Sequence, residues 1–234
     1  MVSMDKVNIA AIIAAGGSGS RISTQINKQY LPLNNKPILI YSFEKFALHE
    51  RIDTIIIVAA RHEMEMCSAL IEKYNIHKKP TKVVAGGVSR QESVLMGLKA
   101  CDENTDIVLI HDGARPFVTN QMINECLKQM KTYKACSVGV SAINTIKQTD
   151  SEGIVSQTLN RDSLWEVQTP QCFNYQCIYE LHKKAARASI SVTDDCSLAE
   201  IYNIDVKMIK GNYDNIKITV ARDLFTAQGI IKTK

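Results

Sequence analysis

The chain has 234 residues, of which 45% are hydrophobic and 22% are charged, and its formal net charge is +4. This composition is typical of a folded globular protein, and no apolar run approaches the roughly 20 residues that a membrane-spanning helix needs. The small positive excess suits a phosphorylated small molecule but does not argue for nucleic acid, so we expect neither nucleic acid nor a membrane as a partner.

The first predicted element is a short buried strand over 7–14, which leads directly into a loop rich in glycine and serine. Glycines let main-chain N–H groups approach a ligand, and such groups form a concave anion site. Because Arg21 and Lys28 follow, the loop indicates a phosphate site; a plain tight turn is the alternative. The loop is not a Walker A motif, since no Gly-Lys-Ser/Thr follows the glycines.

Apolar strand-like runs then alternate with amphipathic helical segments. The predicted strands cover 53–59, 82–85, 106–111 and 135–140, and the predicted helices cover 37–46, 63–74, 89–101 and 120–133. We expect Asn120 to cap the last of these helices. Nearly continuous apolar strands in this alternation predict an α/β fold, a mainly parallel sheet covered by helices on both faces.

Polar clusters follow three of the predicted strands, at 16–21, 86–93 and 111–116. Ligands bind beyond the carboxyl ends of the strands in such sheets, so the three clusters predict one site along one edge. In the second cluster, Arg90 and Ser93 share one side of a helix. Ser93 is placed to face a base or a ribose, whereas Arg90 is equally well interpreted as an exposed surface arginine.

The cluster at 111–116 places an aspartate and an arginine directly after a strand. Asp112 suits a Mg²⁺ ligand and Arg115 suits a phosphate clamp, because Mg²⁺ takes one or two carboxylates together with phosphate oxygens. The alternative is an Asp–Arg ion pair without a function. We interpret His111 as a packed histidine at the strand end.

The pattern changes over 141–162, where two short alternating runs flank a turn at 150–153. This pattern predicts a β-hairpin. A hairpin alone is marginally stable, so we expect it to project as an arm and to pair with a second subunit. In the absence of internal repeats or a linker, residues 1–234 are predicted to form one domain carrying this arm.

Two polar features follow in the last third of the chain. The paired acids Asp194 and Asp195 begin a predicted helix, where capping is favoured over metal binding. Lys217 lies in a strand-like run, where a surface position is the default interpretation.

Seven cysteines form an odd set without any C-x-x-C pair, which argues against a disulfide framework or a zinc site. Together with the lack of a signal-peptide pattern, this predicts a cytoplasmic protein.

Eight motifs occur in order along the chain. They are Ala-Ala-Gly-Gly-Ser-Gly-Ser-Arg at 14–21, Lys-Gln-Tyr-Leu at 28–31, Gly-Gly-x-x-Arg-x-x-Ser-Val at 86–94, His-Asp-Gly-Ala-Arg-Pro at 111–116, Asn-Arg-x-x-Leu-Trp at 160–165, Gln-Thr-Pro-Gln-x-Phe at 168–173, Thr-Asp-Asp at 193–195 and Asn-Ile-Lys-Ile-Thr at 215–219. Over 9–231 this set resembles the cytidylyltransferases that act on 2-C-methyl-D-erythritol 4-phosphate, and their close relatives that act on ribitol 5-phosphate. The resemblance implies a Rossmann-like nucleotidyltransferase that transfers a cytidylyl group from CTP to a polyol phosphate as a homodimer.

By the same resemblance, Arg21, Lys28 and Lys217 are the catalytic residues and Asp112 is the ligand of a Mg²⁺ cofactor. The implied substrate contacts are Ala14, Ala15, Gly16, Gly17, Ser18, Gly19, Gly87, Ser93, Asp112, Arg115, Thr145, Arg161 and Thr169. Through the arm, Arg161 and Thr169 are expected to serve the site of the partner subunit.

The motifs leave the acceptor open. With Arg21 aligned, Gly16 replaces an alanine of the erythritol enzymes, which resembles the ribitol branch. The segments 160–165 and 193–195 resemble the erythritol branch, which we favour. Two alternative functions are also considered: a sugar-1-phosphate nucleotidyltransferase using UTP or GTP, and a catalytically silent nucleotide-binding subunit.

Overall fold

A central β-sheet organises the computed structural model, which describes residues 6–17, 27–76 and 78–233. The strands are β1 (Ile9–Ala15), β2 (Pro32–Leu33), β3 (Lys36–Pro37), β4 (Thr54–Ala59), β5 (Thr81–Ala85), β6 (Ile107–Asp112), β7 (Ala135–Ser141), β8 (Lys147–Thr149), β9 (Val155–Thr158), β10 (Trp165–Asn174) and β11 (Val206–Lys210). The α-helices are α1 (Ile38–Leu48), α2 (Met64–Tyr74), α3 (Arg90–Lys99), α4 (Asn120–Gln129), α5 (Tyr175–Arg187), α6 (Asp195–Ile201) and α7 (Ala221–Lys232).

Within the described residues, seven strands form the central sheet in the order β11-β7-β10-β6-β1-β4-β5. Strand β10 runs antiparallel to both of its neighbours, and every other pairing in this sheet is parallel. The prediction of a mainly parallel sheet is therefore confirmed.

Helices cover both faces of the sheet, because successive side chains of each strand point to opposite sides. Ala11 and Ile13 of β1 belong to a core that also includes buried residues of α1, α2 and α4. Ala10 and Ile12 face the other way, into a core with buried residues of α3, α5 and α6. The predicted two-sided covering is confirmed.

Three details differ from the predictions. Thr119 rather than Asn120 caps α4, because its hydroxyl accepts a hydrogen bond from the main-chain N–H of Met122 at 3.2 Å. Lys217 lies in a loop rather than a strand, since the segment around it makes no sheet ladder.

Strand β10 was not predicted; Pro170 and polar neighbours interrupt its pattern, and its register with β7 shifts there.

The arm contains a separate two-stranded ladder, in which β8 pairs antiparallel with β9. This confirms the predicted hairpin. All seven residues of the two strands are exposed in this chain; the pairing of the arm with a second subunit stays a prediction. Among the residues that the structure describes, no helix combines the length and the apolar character required to traverse a bilayer.

Gly97 on α3 allows this helix to lie close to the sheet. A Cβ atom there would lie 2.7 Å from Ile12 and 2.9 Å from Val58, both fully buried. We expect Gly97→Ala to destabilise the protein by about 1–2 kcal/mol, because overpacking outweighs the gain in helix propensity. Urea unfolding measures this, with Gly229→Ala as the matched control. Gly229 is helical and a Cβ atom there would meet no atom of the described residues within 4 Å, so its replacement should stabilise by about 0.5–1 kcal/mol. Equal effects of the two variants would contradict the packing argument.

Candidate active site

A cavity of about 330 Å³ opens beyond the carboxyl ends of β1, β5 and β6. Its lining residues are Ala14, Ala15, Gly16, Gly17, Lys28, Gln29, Gly87, Val88, Ser89, Arg90, Ser93, Asp112, Ala114 and Lys217. The buried side chain of Gln29 donates hydrogen bonds to the main-chain oxygens of Ala15 and, at 3.5 Å, of Gly17. A Cβ atom at Gly17 would meet no atom of the described residues within 4 Å.

The loop between β5 and α3 forms a second wall of this cavity. Gly87 permits a close approach, since a Cβ atom there would collide with the side chain of Glu92. The main-chain N–H of Gly87 donates to Ser93 Oγ at 3.2 Å, and Ser93 Oγ donates to the main-chain oxygen of Ser89 at 2.9 Å. Ser93 also lines the cavity, and its two hydrogen bonds fix the shape of the loop. Its contact with a base or a ribose stays a prediction.

Asp112 stands at the end of β6 between two cations. Its carboxylate lies 2.7 Å from Lys217 Nζ and 3.1 Å from Arg90 Nε. Burial alone would raise the pKa of Asp112, but the charges of Arg90 and Lys217 outweigh it and hold that pKa well below its usual range. Asp112 is therefore an ionised carboxylate at neutral pH.

A second cavity, of about 320 Å³, lies on the other side of this ion pair. It is lined by Arg90, Asp112, Arg115, Val167, Gln168, Thr169, Gln171, Thr193, Asp194, Ser197, Glu200 and Lys217. Arg90, Asp112 and Lys217 line both cavities. Two pockets that share a charged wall can hold two ligands whose reacting groups meet at that wall.

Arg115 and Thr169 line the second cavity and also make internal contacts. Arg115 donates from Nη1 to the main-chain oxygen of Asn215 at 2.7 Å and from Nη2 to that of Val167 at 3.3 Å. Thr169 Oγ1 accepts a hydrogen bond from the main-chain N–H of Asp112 at 3.1 Å. The expectation that Thr169 serves the partner's site is wrong, because β10 seats it beside Asp112 of its own chain.

Other predicted site residues lie elsewhere. Thr145 and Arg161 are exposed and outside the linings of both cavities, and Arg161 Nη1 donates to the main-chain oxygen of Ile143 at 2.9 Å. Ser18, Gly19 and Arg21 lie outside the described residues.

His111 is a structural residue, as predicted. Its ring is fully buried, packs against Phe46 with a centroid distance of 5.2 Å, and hydrogen-bonds Thr169 Oγ1 at 2.9 Å and the main-chain oxygen of Arg115 at 3.1 Å. Burial lowers the pKa of His111 from 6.5 to about 4. The imidazole is therefore neutral at pH 7.

This burial predicts acid sensitivity. Below pH 6.5 the unfolded chain protonates His111 while the folded chain does not, so stability should fall by about 3 kcal/mol as the pH drops from 6.5 to 4. Urea unfolding across this range measures the loss. His111→Gln should flatten the dependence, whereas replacement of the exposed His62 by glutamine should preserve it. An unchanged slope in His111→Gln would contradict the assignment.

Arg90 makes more contacts at the site than its sequence context indicated. Besides Asp112, its Nη1 lies 2.9 Å from Asp195, whose other oxygen lies 3.1 Å from His182 Nε2. Asp195 and His182 are buried. Burial alone would raise the pKa of Asp195, but Arg90 and His182 lower it on balance. The interpretation of Arg90 as an exposed surface arginine is therefore wrong. In the sequence, only the motif at 86–94 indicated that Arg90 belongs to the site.

The capping prediction at 193–195 is confirmed for one of the two acids. Asp194 caps α6 by accepting from the main-chain N–H of Ser197 at 3.1 Å. Asp195 does not cap, and its carboxylate turns inward to Arg90 and His182.

The donors at the shared wall fit a Mg²⁺ ion held by one protein carboxylate. The described residues contain no cluster of three or more His, Cys, Asp or Glu side chains suited to a metal. Asp112 offers ionised oxygens at the wall, and Mg²⁺ commonly takes its remaining ligands from substrate phosphates and water. Asp195 is almost fully buried and lines neither cavity, so it is not placed as a second ligand.

Comparison with known proteins gives consistent matches over the full set of site motifs. The family model described as "IspD: 2-C-methyl-D-erythritol 4-phosphate cytidylyltransferase" matches residues 9–233. A relative of that name from Clostridium kluyveri (strain NBRC 12016) is 46% identical over 229 residues, which cover 97% of this chain and 98% of the relative. Another of that name, from Clostridium botulinum (strain 657 / Type Ba4), is 44% identical over 223 residues, covering 95% and 97%.

The solved structures include one of 4-diphosphocytidyl-2C-methyl-D-erythritol synthase from Anaerococcus prevotii DSM 20548. It superposes with a TM-score of 0.87 at 31% identity and covers 97% of this chain and 100% of its own. The similarity therefore extends over both cavities and all the strands that form them.

Proposed function

Since the chain belongs to the 2-C-methyl-D-erythritol 4-phosphate cytidylyltransferase family, we propose that it transfers the cytidylyl group of CTP to 2-C-methyl-D-erythritol 4-phosphate and releases pyrophosphate. The product is a precursor for isoprenoid synthesis. The observation that carries the proposal is the wall shared by the two cavities, formed by Arg90, Asp112 and Lys217. The cavity lined by Lys28, Gly87 and Ser93 would take the nucleotide and is called the nucleotide cavity. The cavity lined by Arg115 and Thr169 would take the acceptor phosphate and is called the acceptor cavity.

The reaction needs no covalent enzyme intermediate. An oxygen of the acceptor phosphate attacks the α-phosphorus of CTP in line; the new P–O bond forms as the bond between the α-phosphorus and the bridging oxygen breaks, and pyrophosphate leaves with that electron pair. A phosphate monoester is largely dianionic near neutral pH, with a second pKa of about 6, so no general base is required.

The chemical difficulty is the meeting of two polyanions. Lys28 and Lys217 line the nucleotide cavity and supply positive charge to it, and Arg21 would add a third cation. Preorganised charges of this kind stabilise the charge that develops on the transferring phosphoryl group. Asp112 would hold Mg²⁺, which when bound neutralises part of the phosphate charge.

The remaining substrate contacts are assigned according to which of the two cavities each residue lines. Main-chain groups of 14–17, with Gly87 and Ser93, would surround the nucleotide. Ser18 and Gly19 are proposed as further substrate contacts on the motif alone. Arg115 and Thr169 would contact the acceptor.

A pyrophosphate-release assay with Mg²⁺ tests the activity. We expect turnover with CTP and 2-C-methyl-D-erythritol 4-phosphate, and at least tenfold lower kcat/KM when UTP replaces CTP or when ribitol 5-phosphate or glycerol 3-phosphate replaces the acceptor. Comparable rates with UTP would overturn the cytosine assignment, and a preference for ribitol 5-phosphate would overturn the acceptor. Absence of pyrophosphate release from every pair would indicate a silent binding subunit.

The enzyme is also proposed to work as a homodimer through the arm at 141–162. Ile143, Ile154 and Val155 are more than half exposed in the single chain, which suits burial against a partner. A dimer would also bring Thr145 and Arg161 towards the partner's acceptor cavity. Analytical ultracentrifugation should show a dimer for the parent protein and a monomer for an Ile154→Asp, Val155→Asp double variant. A monomeric parent would contradict the proposal.

A cytoplasmic location completes the proposal. All seven cysteines are free thiols, six of them buried, as suits a reducing compartment. Fractionation of cells producing the full chain would test this, and recovery outside the cytoplasmic fraction would contradict it.

A further inference from the structure

The loop that carries Lys217 is pinned to the rest of the molecule on either side of that lysine. Residues 211–220 connect β11 to α7 without helix or strand. Even so, Lys217 Nζ lies 2.7 Å from Asp112, although 39% of its side chain is exposed. An exposed lysine on an irregular loop keeps such a position only if its main chain is fixed.

Asn215 provides the first attachment. It is fully buried, and its side-chain nitrogen donates one hydrogen bond to Gln168 Oε1 at 3.1 Å and another to the main-chain oxygen of Thr169 at 3.0 Å. Its main-chain oxygen accepts from Arg115 Nη1 at 2.7 Å. One residue thus connects the loop to β10 and to the arginine of the acceptor cavity.

The second attachment lies just beyond the lysine. Ile218 is fully buried, and its main-chain N–H donates to the oxygen of Ala114 at 2.9 Å. Lys217 therefore projects from a short stretch held at Asn215 and at Ile218, directly over the end of β6.

The chemistry of the site at position 215 selects asparagine. Two oxygens face the side-chain nitrogen, so the residue must donate two hydrogen bonds from one buried atom. Aspartate donates none when ionised, alanine donates none, and glutamine is one methylene longer. Asn215 Oδ1 has no partner among the described residues, so a carboxylate there would bury an uncompensated charge.

We infer that Asn215 is a positioning residue for the transfer reaction: its side-chain amide holds the 211–220 loop so that Lys217 meets the reacting phosphate beside Asp112. This inference rests on the proposed function, because it acts through the role given to Lys217. Displacing a charged group by about 1 Å can cost on the order of 10²-fold in rate.

The test compares Asn215→Asp, which has the same shape, with Asn212→Asp as its matched control. The exposed Asn212 accepts from the main-chain N–H of Asp214 at 2.8 Å through its side-chain oxygen, a bond that aspartate preserves. We expect kcat to fall at least tenfold in Asn215→Asp with the KM for CTP within threefold, and no change in Asn212→Asp. Asn215→Ala, which buries no charge, replaces Asn215→Asp if that variant does not fold.

Combination with Lys217→Met separates positioning from general damage. If Asn215 acts through Lys217, the double variant is no slower than Lys217→Met alone. Multiplicative losses would overturn the inference, as would a full kcat in the Asn215 variants while Lys217→Met is slow. If Lys217→Met itself keeps its turnover, the role proposed for that lysine fails instead.

Discussion

Lys28→Ala is expected to lower turnover by on the order of 10²-fold or more while changing the KM for CTP far less. Lys28 lines the nucleotide cavity at the start of a short 3₁₀ turn whose other residues, Gln29 and Tyr30, are buried, so its main chain is firmly placed. A cation that acts mainly on charge developing in transfer stabilises the transition state more than bound CTP, and loss of one such donor costs 10²–10³-fold in kcat. Steady-state kinetics of pyrophosphate release measure both constants.

Lys45→Ala is the control for this experiment. Lys45 is an exposed lysine on α1 and lies outside both cavity linings. Its replacement removes the same charge from the protein without touching the site, so turnover should stay within about 1.5-fold of the parent. Turnover of Lys28→Ala within threefold of the parent would contradict the role of Lys28.

The parallel part of the fold was predictable because its strands are buried on both faces. Segments such as 53–59 are almost entirely apolar, and the strand Thr54–Ala59 lies within one residue of that prediction. Strand β10 was not predictable in this way: Gln168, Thr169 and Gln171 are buried there. Their partners lie far away in sequence, as when Gln171 donates to Asp194 at 2.5 Å, so only the folded chain shows why they are tolerated inside.

The residues of the candidate site also differ in whether local sequence was enough to predict them. Asp112 was predictable because its place after a strand, next to glycine and arginine, is local information. The contacts of Arg90 were not, since they depend on Asp195, which a different helix brings to the same place. The role of Asn215 was not predictable beyond its place in a motif. Its two hydrogen-bond acceptors belong to strand β10, which the hydrophobic pattern did not predict.

Asp112→Asn should produce a loss of turnover of about 10²–10³-fold. The substitution keeps the shape but removes the charge that faces Arg90 and Lys217 and the oxygen proposed to bind Mg²⁺. Stability should fall by only about 1–2 kcal/mol, less than for an isolated buried pair, because Arg90 retains Asp195 and Lys217 is partly hydrated. Pyrophosphate-release kinetics and urea unfolding on the same samples measure the two effects.

Asp102→Asn is the matched control, because Asp102 also pairs with a lysine at 2.7 Å but does so on the surface, with Lys82. An exposed pair contributes little, so this variant should keep its turnover and lose less than about 1 kcal/mol. The contrast separates the general loss of an ion pair from the loss of a carboxylate at the wall between the two cavities. Should Asp112→Asn turn over as fast as Asp102→Asn, the carboxylate would have no part in the transfer, and the shared wall would be a structural feature only.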